Sequence, residues 1–184
     1  TRRQRQMCIR DRYSGWAAYV SMDRDISETL NVEVGVRYTS DDKDFGILVP
    51  EPQSYLGPYF TYGFATAEYI EDSKSWSDTT AKIALTWTPT DDAMVFANYT
   101  QGFKSGGFGS FWIQDDQGNP PAYETGITQE DGYLPGSFRP EQMDSYELGF
   151  KTSYLDGAGN FDLVAFMYDY KDAQVISYVD VDFE

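Results

Sequence analysis

Leu30-Asn31-Val32-Glu33-Val34-Gly35-Val36-Arg37-Tyr38-Thr39 is the stretch that decides the fold. Every even position is apolar or aromatic, and every odd position is polar or glycine. Successive side chains of a strand point to opposite faces. One face therefore carries Leu30, Val32, Val34, Val36 and Tyr38, and the other Asn31, Glu33, Gly35, Arg37 and Thr39. A helix would scatter both sets around its circumference, so the segment reads as a strand.

The same alternation recurs along the chain. Within 13–22, Trp16, Ala18, Val20 and Met22 share a side. Within 75–88, Ala81, Ile83, Leu85 and Trp87 stand opposite Thr80, Lys82, Ala84 and Thr86. Within 93–102, Val95, Ala97 and Tyr99 oppose Phe96, Asn98 and Thr100. Within 141–154, Tyr146, Leu148, Phe150 and Thr152 oppose Glu147, Gly149 and Lys151. Segment 161–175 is apolar on both sides over Val164, Ala165, Phe166 and Met167, which leaves its facing open, and a further strand begins near Ile176. No segment has the periodicity of a helix.

Connections alternate in length. Those at 23–29, 88–92 and 156–160 are short and rich in Asp, Gly, Asn, Pro and Thr, while those at 45–74 and 103–139 are long. This sorting puts tight turns at one end of a sheet and long loops at the other, the layout of outer-membrane barrels. Trp87 and Tyr154 fall beside short turns, and Tyr38, Tyr99 and Tyr146 toward the long loops, as interfacial girdles would. From Leu30 to Tyr38 a strand covers about 26 Å, or ~20 Å after a tilt of ~40°, near the thickness of an apolar band. The expected fold is all-β: an antiparallel up-and-down transmembrane β-barrel, present as a partial, curved meander sheet of about six or seven strands.

Composition narrows the function. The 184 residues carry 30 Asp+Glu against 14 Lys+Arg, a net charge of −16, which excludes the basic surface that nucleic acid requires. There is no His, so no Ser-His-Asp set and no histidine metal ligand exists, and a single Cys forbids an internal disulfide. We expect no enzyme activity and no cofactor. Mean hydropathy is −0.53 and no apolar run reaches the ~18 residues of a membrane helix, but alternating strands hide from such averages. The basic opening TRRQRQMCIRDR differs from the acidic remainder, and Met7-Cys8-Ile9-Arg10-Asp11-Arg12 resembles a translated sequencing adapter. Residues 1–12 are therefore expected to be a non-native tail, and 13–184 the barrel segment, which stops in mid-pattern at Glu184.

Four segments then resemble one family, the TonB-dependent receptors. They are Gly35-Val36-Arg37-Tyr38-Thr39-Ser40-Asp41-Asp42-Lys43-Asp44-Phe45, Asn98-Tyr99-Thr100-Gln101-Gly102-Phe103-Lys104-Ser105-Gly106-Gly107-Phe108, Phe138-Arg139-Pro140-Glu141 with Ser145-Tyr146-Glu147-Leu148-Gly149-Phe150-Lys151, and Phe166-Met167-Tyr168-Asp169-Tyr170-Lys171-Asp172-Ala173-Gln174-Val175. The resemblance covers most of 13–175. It implies a roughly 22-stranded outer-membrane barrel, plugged by an N-terminal domain. It further implies uptake of a scarce nutrient, foremost an iron–siderophore complex, with energy from the TonB–ExbB–ExbD complex. Implied partners are outer-membrane lipid, the plug, TonB and the ligand. The plug, the TonB box and most strands lie outside these residues.

Candidate ligand-path residues are Arg37, Lys82, Asn98, Gln101, Glu147 and Lys151; charges lining a lumen pair with each other or with the plug, or meet an anionic ligand in transit. Lys104, Trp112, Tyr123 and Tyr133 are candidate extracellular contacts, the aromatics either gripping ligand or packing their loop. The glycines of 102–109 lack the order of a phosphate loop and are read as structural. Asp115-Asp116-Gln117-Gly118-Asn119 has the flavour of a calcium loop but no following carboxylate at the required spacing, so no metal is expected. Competing readings are another outer-membrane barrel, a porin or adhesin, and a soluble extracellular glycan-binding β-sandwich. The sandwich would bury Val32, Val34, Ile83, Leu85, Leu148 and Phe150 against a second sheet.

Overall fold

The computed structural model describes residues 7–52, 62–155 and 157–175. The strand expected from Ile176 lies outside them. Six strands form one sheet in the order β1(Cys8–Ser27), β2(Leu30–Leu48), β4(Ile70–Thr90), β5(Ala93–Lys104), β9(Glu141–Tyr154), β10(Gly159–Lys171). Where registers are defined, from β4 to β10, neighbours pair antiparallel. The sheet is a meander, as the alternation predicts, and no α-helix occurs among the described residues. The shorter elements are β3(Phe64–Thr66), β6(Gly107–Gln114), β7(Glu124–Ile127), a 3-10 turn Gln129–Asp131 and β8(Leu134–Phe138). Residues 8–12, read from sequence as foreign, stand inside β1, where Arg10 pairs with Glu71 at 3.3 Å and lies over the Tyr69 ring. A backbone ladder accepts almost any side chain, so a strand can run on through them.

The chain divides into two compact units. One comprises 1–16, 40–76 and 106–139; the other comprises 17–39, 77–105 and 140–184. The tight turns between neighbouring strands of the main sheet (Glu28-Thr29, Asp91-Asp92 and the turn around Gly157) belong to the second unit. Pro89 falls where the β4–β5 register slips, a place that tolerates its missing N–H. In the last turn Leu155 and Gly157 both have positive φ, a conformation natural to glycine and uncommon for leucine.

In the second unit the register assigns the paired side chains of β4, β5, β9 and β10 to a face. Ile83, Tyr99, Tyr146 and Met167 form one row across four strands; Leu85, Ala97, Leu148 and Ala165 form the next; Trp87, Val95, Phe150 and Leu163 the third. The opposite face carries Lys82, Thr100, Ser145 and Tyr168, then Ala84, Asn98, Glu147 and Phe166, then Thr86, Phe96, Gly149 and Val164. Pairing with β9 thus settles the two-sided run in β10. Leu163, Ala165 and Met167 join the apolar face, and Val164, Phe166 and Tyr168 the other.

Among the described residues no sheet covers the apolar rows. Leu148 is 58% exposed, Ile83 44% and Leu85 43%, and Val32, Val34 and Phe150 are not buried either. The sandwich reading required the reverse and fails here. Among the described residues, all the buried hydrophobics belong to the first unit: Phe45, Ile47, Val49, Phe64, Ala65, Ile70, Ile113 and Ile127. The connections 45–74 and 103–139, read from sequence as long loops, are therefore folded over their described residues. β2 runs three residues past Phe45, β4 starts four residues before Lys74, and the intervening segments bury a core of their own.

Candidate functional site

The polar face of the second unit is built by strand alternation alone. Lys82 on β4 meets Glu33 on β2 at 2.8 Å. Asn98 on β5 donates to Glu147 Oε1 on β9 at 3.3 Å, as directly opposed residues should. Lys151 places its ammonium 5.7 Å from the centre of the Phe96 ring. Arg37 donates from Nε to Thr39 Oγ1 at 3.2 Å, its neighbour two residues along β2. Lys104 lies 3.9 Å from Glu141, which also accepts from the Gln174 backbone N–H. The expected ligand-path residues thus meet partners on one face, with one exception.

Gln101 is that exception. The register places it opposite Asp144, on the side that carries Tyr99 and Tyr146. There Asp144 accepts from Gln101 Nε2 at 3.1 Å, from the Tyr99 hydroxyl at 2.8 Å and from Lys171 at 3.3 Å. The Tyr99 and Tyr146 rings lie 5.1 Å apart beside this polar set, closing the apolar rows with aromatics and then with charge. Period-two counting from Tyr99 could have shown that Gln101 shares its side.

In the first unit the expected contact residues divide by role. Tyr133 packs against the buried core, and its hydroxyl donates to Glu124 at 3.1 Å. Trp112 lies over Gly109 and Gly136, at both of which an added Cβ would strike the indole, and its Nε1 donates to Gln114. Tyr123 has a φ of 54° and is 68% exposed. Of the three aromatics it presents the most surface, with Phe111 on β6 comparably bare.

The acidic loop is closed on itself. Asp115 accepts from the backbone N–H groups of Asn119 and Gln117 and from the Asn119 side chain. These donors, Asn119 first, hold its carboxyl below the usual carboxylate range. Thr128 and Asp131 form a reciprocal cap on the 3-10 turn, and the Thr128 N–H and hydroxyl lower the Asp131 pKa in the same way.

One cluster was not singled out from sequence. Lys43 donates to the Gly106 carbonyl at 2.6 Å, with its ammonium 5.6 Å from the ring centres of both Tyr13 and Trp76. Trp76 meets Phe108 edge-on at 5.9 Å, and Phe108 stacks on Phe45 at 5.3 Å. Lys74, its ammonium 6.0 Å from the centre of the Phe108 ring, donates to Ser137 Oγ at 2.6 Å and lies 3.6 Å from Asp72. Lys43 continues the odd-numbered phase of Arg37 and Asp41, which was the available signal.

An open antiparallel meander, with one bare apolar face and an opposite face that carries the polar pairs Lys82–Glu33 and Asn98–Glu147, defines a segment of barrel wall. The description "TonB dependent receptor-like, beta-barrel" matches residues 9–184, and the chain belongs to that family. No curated protein sequence matches the chain. Among solved structures it is similar to the ferric yersiniabactin uptake receptor FyuA from Yersinia pestis, with a TM-score of 0.62 at 17% identity over 92% of this chain. It is also similar to the alcaligin outer membrane receptor FauA from Bordetella pertussis, with a TM-score of 0.51 at 23% identity over 93% of this chain. The chain spans 22% of the first and 23% of the second.

Proposed function

We propose that this chain is a wall segment of an outer-membrane receptor that takes up a scarce nutrient, foremost a ferric siderophore. The carrying observation is the set of exposed apolar rows with no sheet against them. Left in water, such a surface over several strands would drive association; against lipid it is satisfied. The opposite face, with its paired Lys82–Glu33 and Asn98–Glu147, lines the lumen and packs the plug of the longer protein. The chain acts by binding and passage rather than by catalysis, and the TonB–ExbB–ExbD complex supplies the energy through the plug. The two solved neighbours, one named for ferric yersiniabactin and one for alcaligin, support an iron-complex ligand.

The test uses the full-length receptor in lipid, cleared of any other cysteine, with a single spin label at Leu148→Cys or at Glu147→Cys. We expect the Leu148 label to relax with oxygen dissolved in the lipid, and the Glu147 label with a water-soluble nickel chelate. Equal access of the nickel chelate to both positions would defeat the reading.

A further inference from the structure

We propose that Lys43, framed by Tyr13 and Trp76, is an anion-receiving point that takes a carboxylate of the ligand. The proposal rests on the uptake reading above and adds a ligand class to it. Lys43 has no carboxylate within ion-pair distance among the described residues, in a chain of net charge −16. Arg10, Lys74, Lys82, Lys104 and Lys171 each have one; Arg37 and Lys151 also have none among the described residues, but Arg37 is turned to Thr39 and Lys151 has a single ring beside it. The nearest acid by strand phase, Asp41, is buried and turned to the Tyr13 hydroxyl, which donates to it at 2.8 Å.

An ammonium has three N–H donors. The Gly106 carbonyl takes one, and the two aromatic faces attract the charge without accepting a strong hydrogen bond. Two donors are left for an incoming anion, whose charge-assisted bond is stronger than one to a neutral carbonyl. The frame is fixed before a ligand arrives. Trp76 leans on Phe108, and Phe108 stacks on the buried Phe45, so the indole is braced by the isoleucine core. Two glycines let the backbone close in: an added Cβ on Gly15 would strike Asp41, and one on Gly106 would strike the Trp76 indole. Tyr13 is 63% exposed, which leaves the cage open to solvent on its side.

The experiment titrates tryptophan fluorescence of the full-length receptor with ferric citrate and with the neutral ferric acetohydroxamate, in wild type, Lys43→Gln and Lys43→Arg. We expect Lys43→Gln to weaken ferric citrate about tenfold, a typical cost for one charge-assisted bond, and to leave the neutral complex unchanged. Lys43→Arg should keep most of the citrate affinity. Equal weakening of both complexes, or of neither, would overturn the proposal and leave Lys43 as a latch to Gly106. A second readout is independent of iron: acetylation of Lys43 followed by mass spectrometry, with iron-free citrate or its neutral trimethyl ester. Protection by citrate alone is expected even if neither ferric complex binds, an outcome that would keep the anion site and separate it from the iron-uptake reading. A Lys43 that citrate does not protect, or that is unreactive before any ligand is added because an acid of the longer chain already holds it, would overturn the site itself.

Discussion

Gly149 stands directly opposite Phe96 in the β5–β9 ladder, and the phenyl ring fills the place that a Cβ on Gly149 would take. The ring therefore lies along the sheet and covers the backbone that glycine leaves bare. Lys151, two residues on, rests its ammonium over the same ring. Gly149→Val should displace Phe96 and Lys151 together and destabilise the sheet by about 1–3 kcal/mol, the usual cost of overfilling a packed site. Urea unfolding from lipid vesicles would show it, and a midpoint equal to wild type would mean that the ring moves aside freely.

Leu148 gives a sharper contrast. It is 58% exposed, so in water a charge there would cost almost nothing. Facing lipid, Leu148→Arg should cost about 2–4 kcal/mol near mid-membrane. The same unfolding assay decides, with Glu147→Arg on the opposite face as the control for a charge that does not meet lipid.

Ile113 is fully buried in the first unit, among Phe45, Ile47, Val49, Phe64, Ile70 and Ile127. Ile113→Ala should remove about 2–5 kcal/mol from that unit's packing. Protease should then cut within 105–139 at a clearly higher rate. Cutting at the wild-type rate would show that the core does not hold these segments.

Lys82 and Glu33 form a close pair, but their side chains are 47% and 33% exposed. Water screens such a pair, so Glu33→Gln should shift stability by less than about 1 kcal/mol. A larger loss would reveal a drier face than the exposures indicate.

Asp131 and Asp115 set a pH limit on the first unit. Both carboxyls are held below the ordinary range when folded, chiefly by the Thr128 N–H for Asp131 and the Asn119 N–H for Asp115. Each therefore binds a proton more weakly folded than unfolded. Their contribution is complete above the ordinary carboxylate range and is lost as pH falls through the depressed folded values. The protection factors of the Thr128 and Asn119 amides, which correct for the intrinsic slowing of exchange in acid, should fall on acidification below about pH 4. Asp131→Asn should abolish the pH dependence at Thr128 and leave that at Asn119.

The faces of the sheet were legible because alternation is a local property. Leu30 to Tyr38, and Tyr146 to Thr152, show it without reference to any other strand. Segment 161–175 was not legible, since Val164 and Phe166 are as apolar as Leu163 and Ala165, and only pairing with Leu148 and Phe150 separates them. The long connections were misjudged for another reason. Their core joins Ile47, Ile70, Ile113 and Ile127, which are far apart in the chain and follow no common period. Phe45, Ile47 and Val49 did alternate, yet a short apolar run beside a loop gives no sign of what will cover it. The Lys43 cage escaped for the same reason, since Tyr13, Trp76 and Gly106 meet it from separate segments.

Gln129 shows what the folded connections entail. Its backbone N–H donates to Glu68, its side-chain oxygen accepts from the Glu71 N–H, and its amide donates to the Glu71 carbonyl. One residue of the second long connection is thus fastened three times to the first, beside the parallel pairing of β3 with β7. Neither connection can be exchanged alone for that of another receptor. A graft that imports one without the other would leave Glu68 and Glu71 without the partner that holds them, so the two connections have to move as a matched pair and not loop by loop.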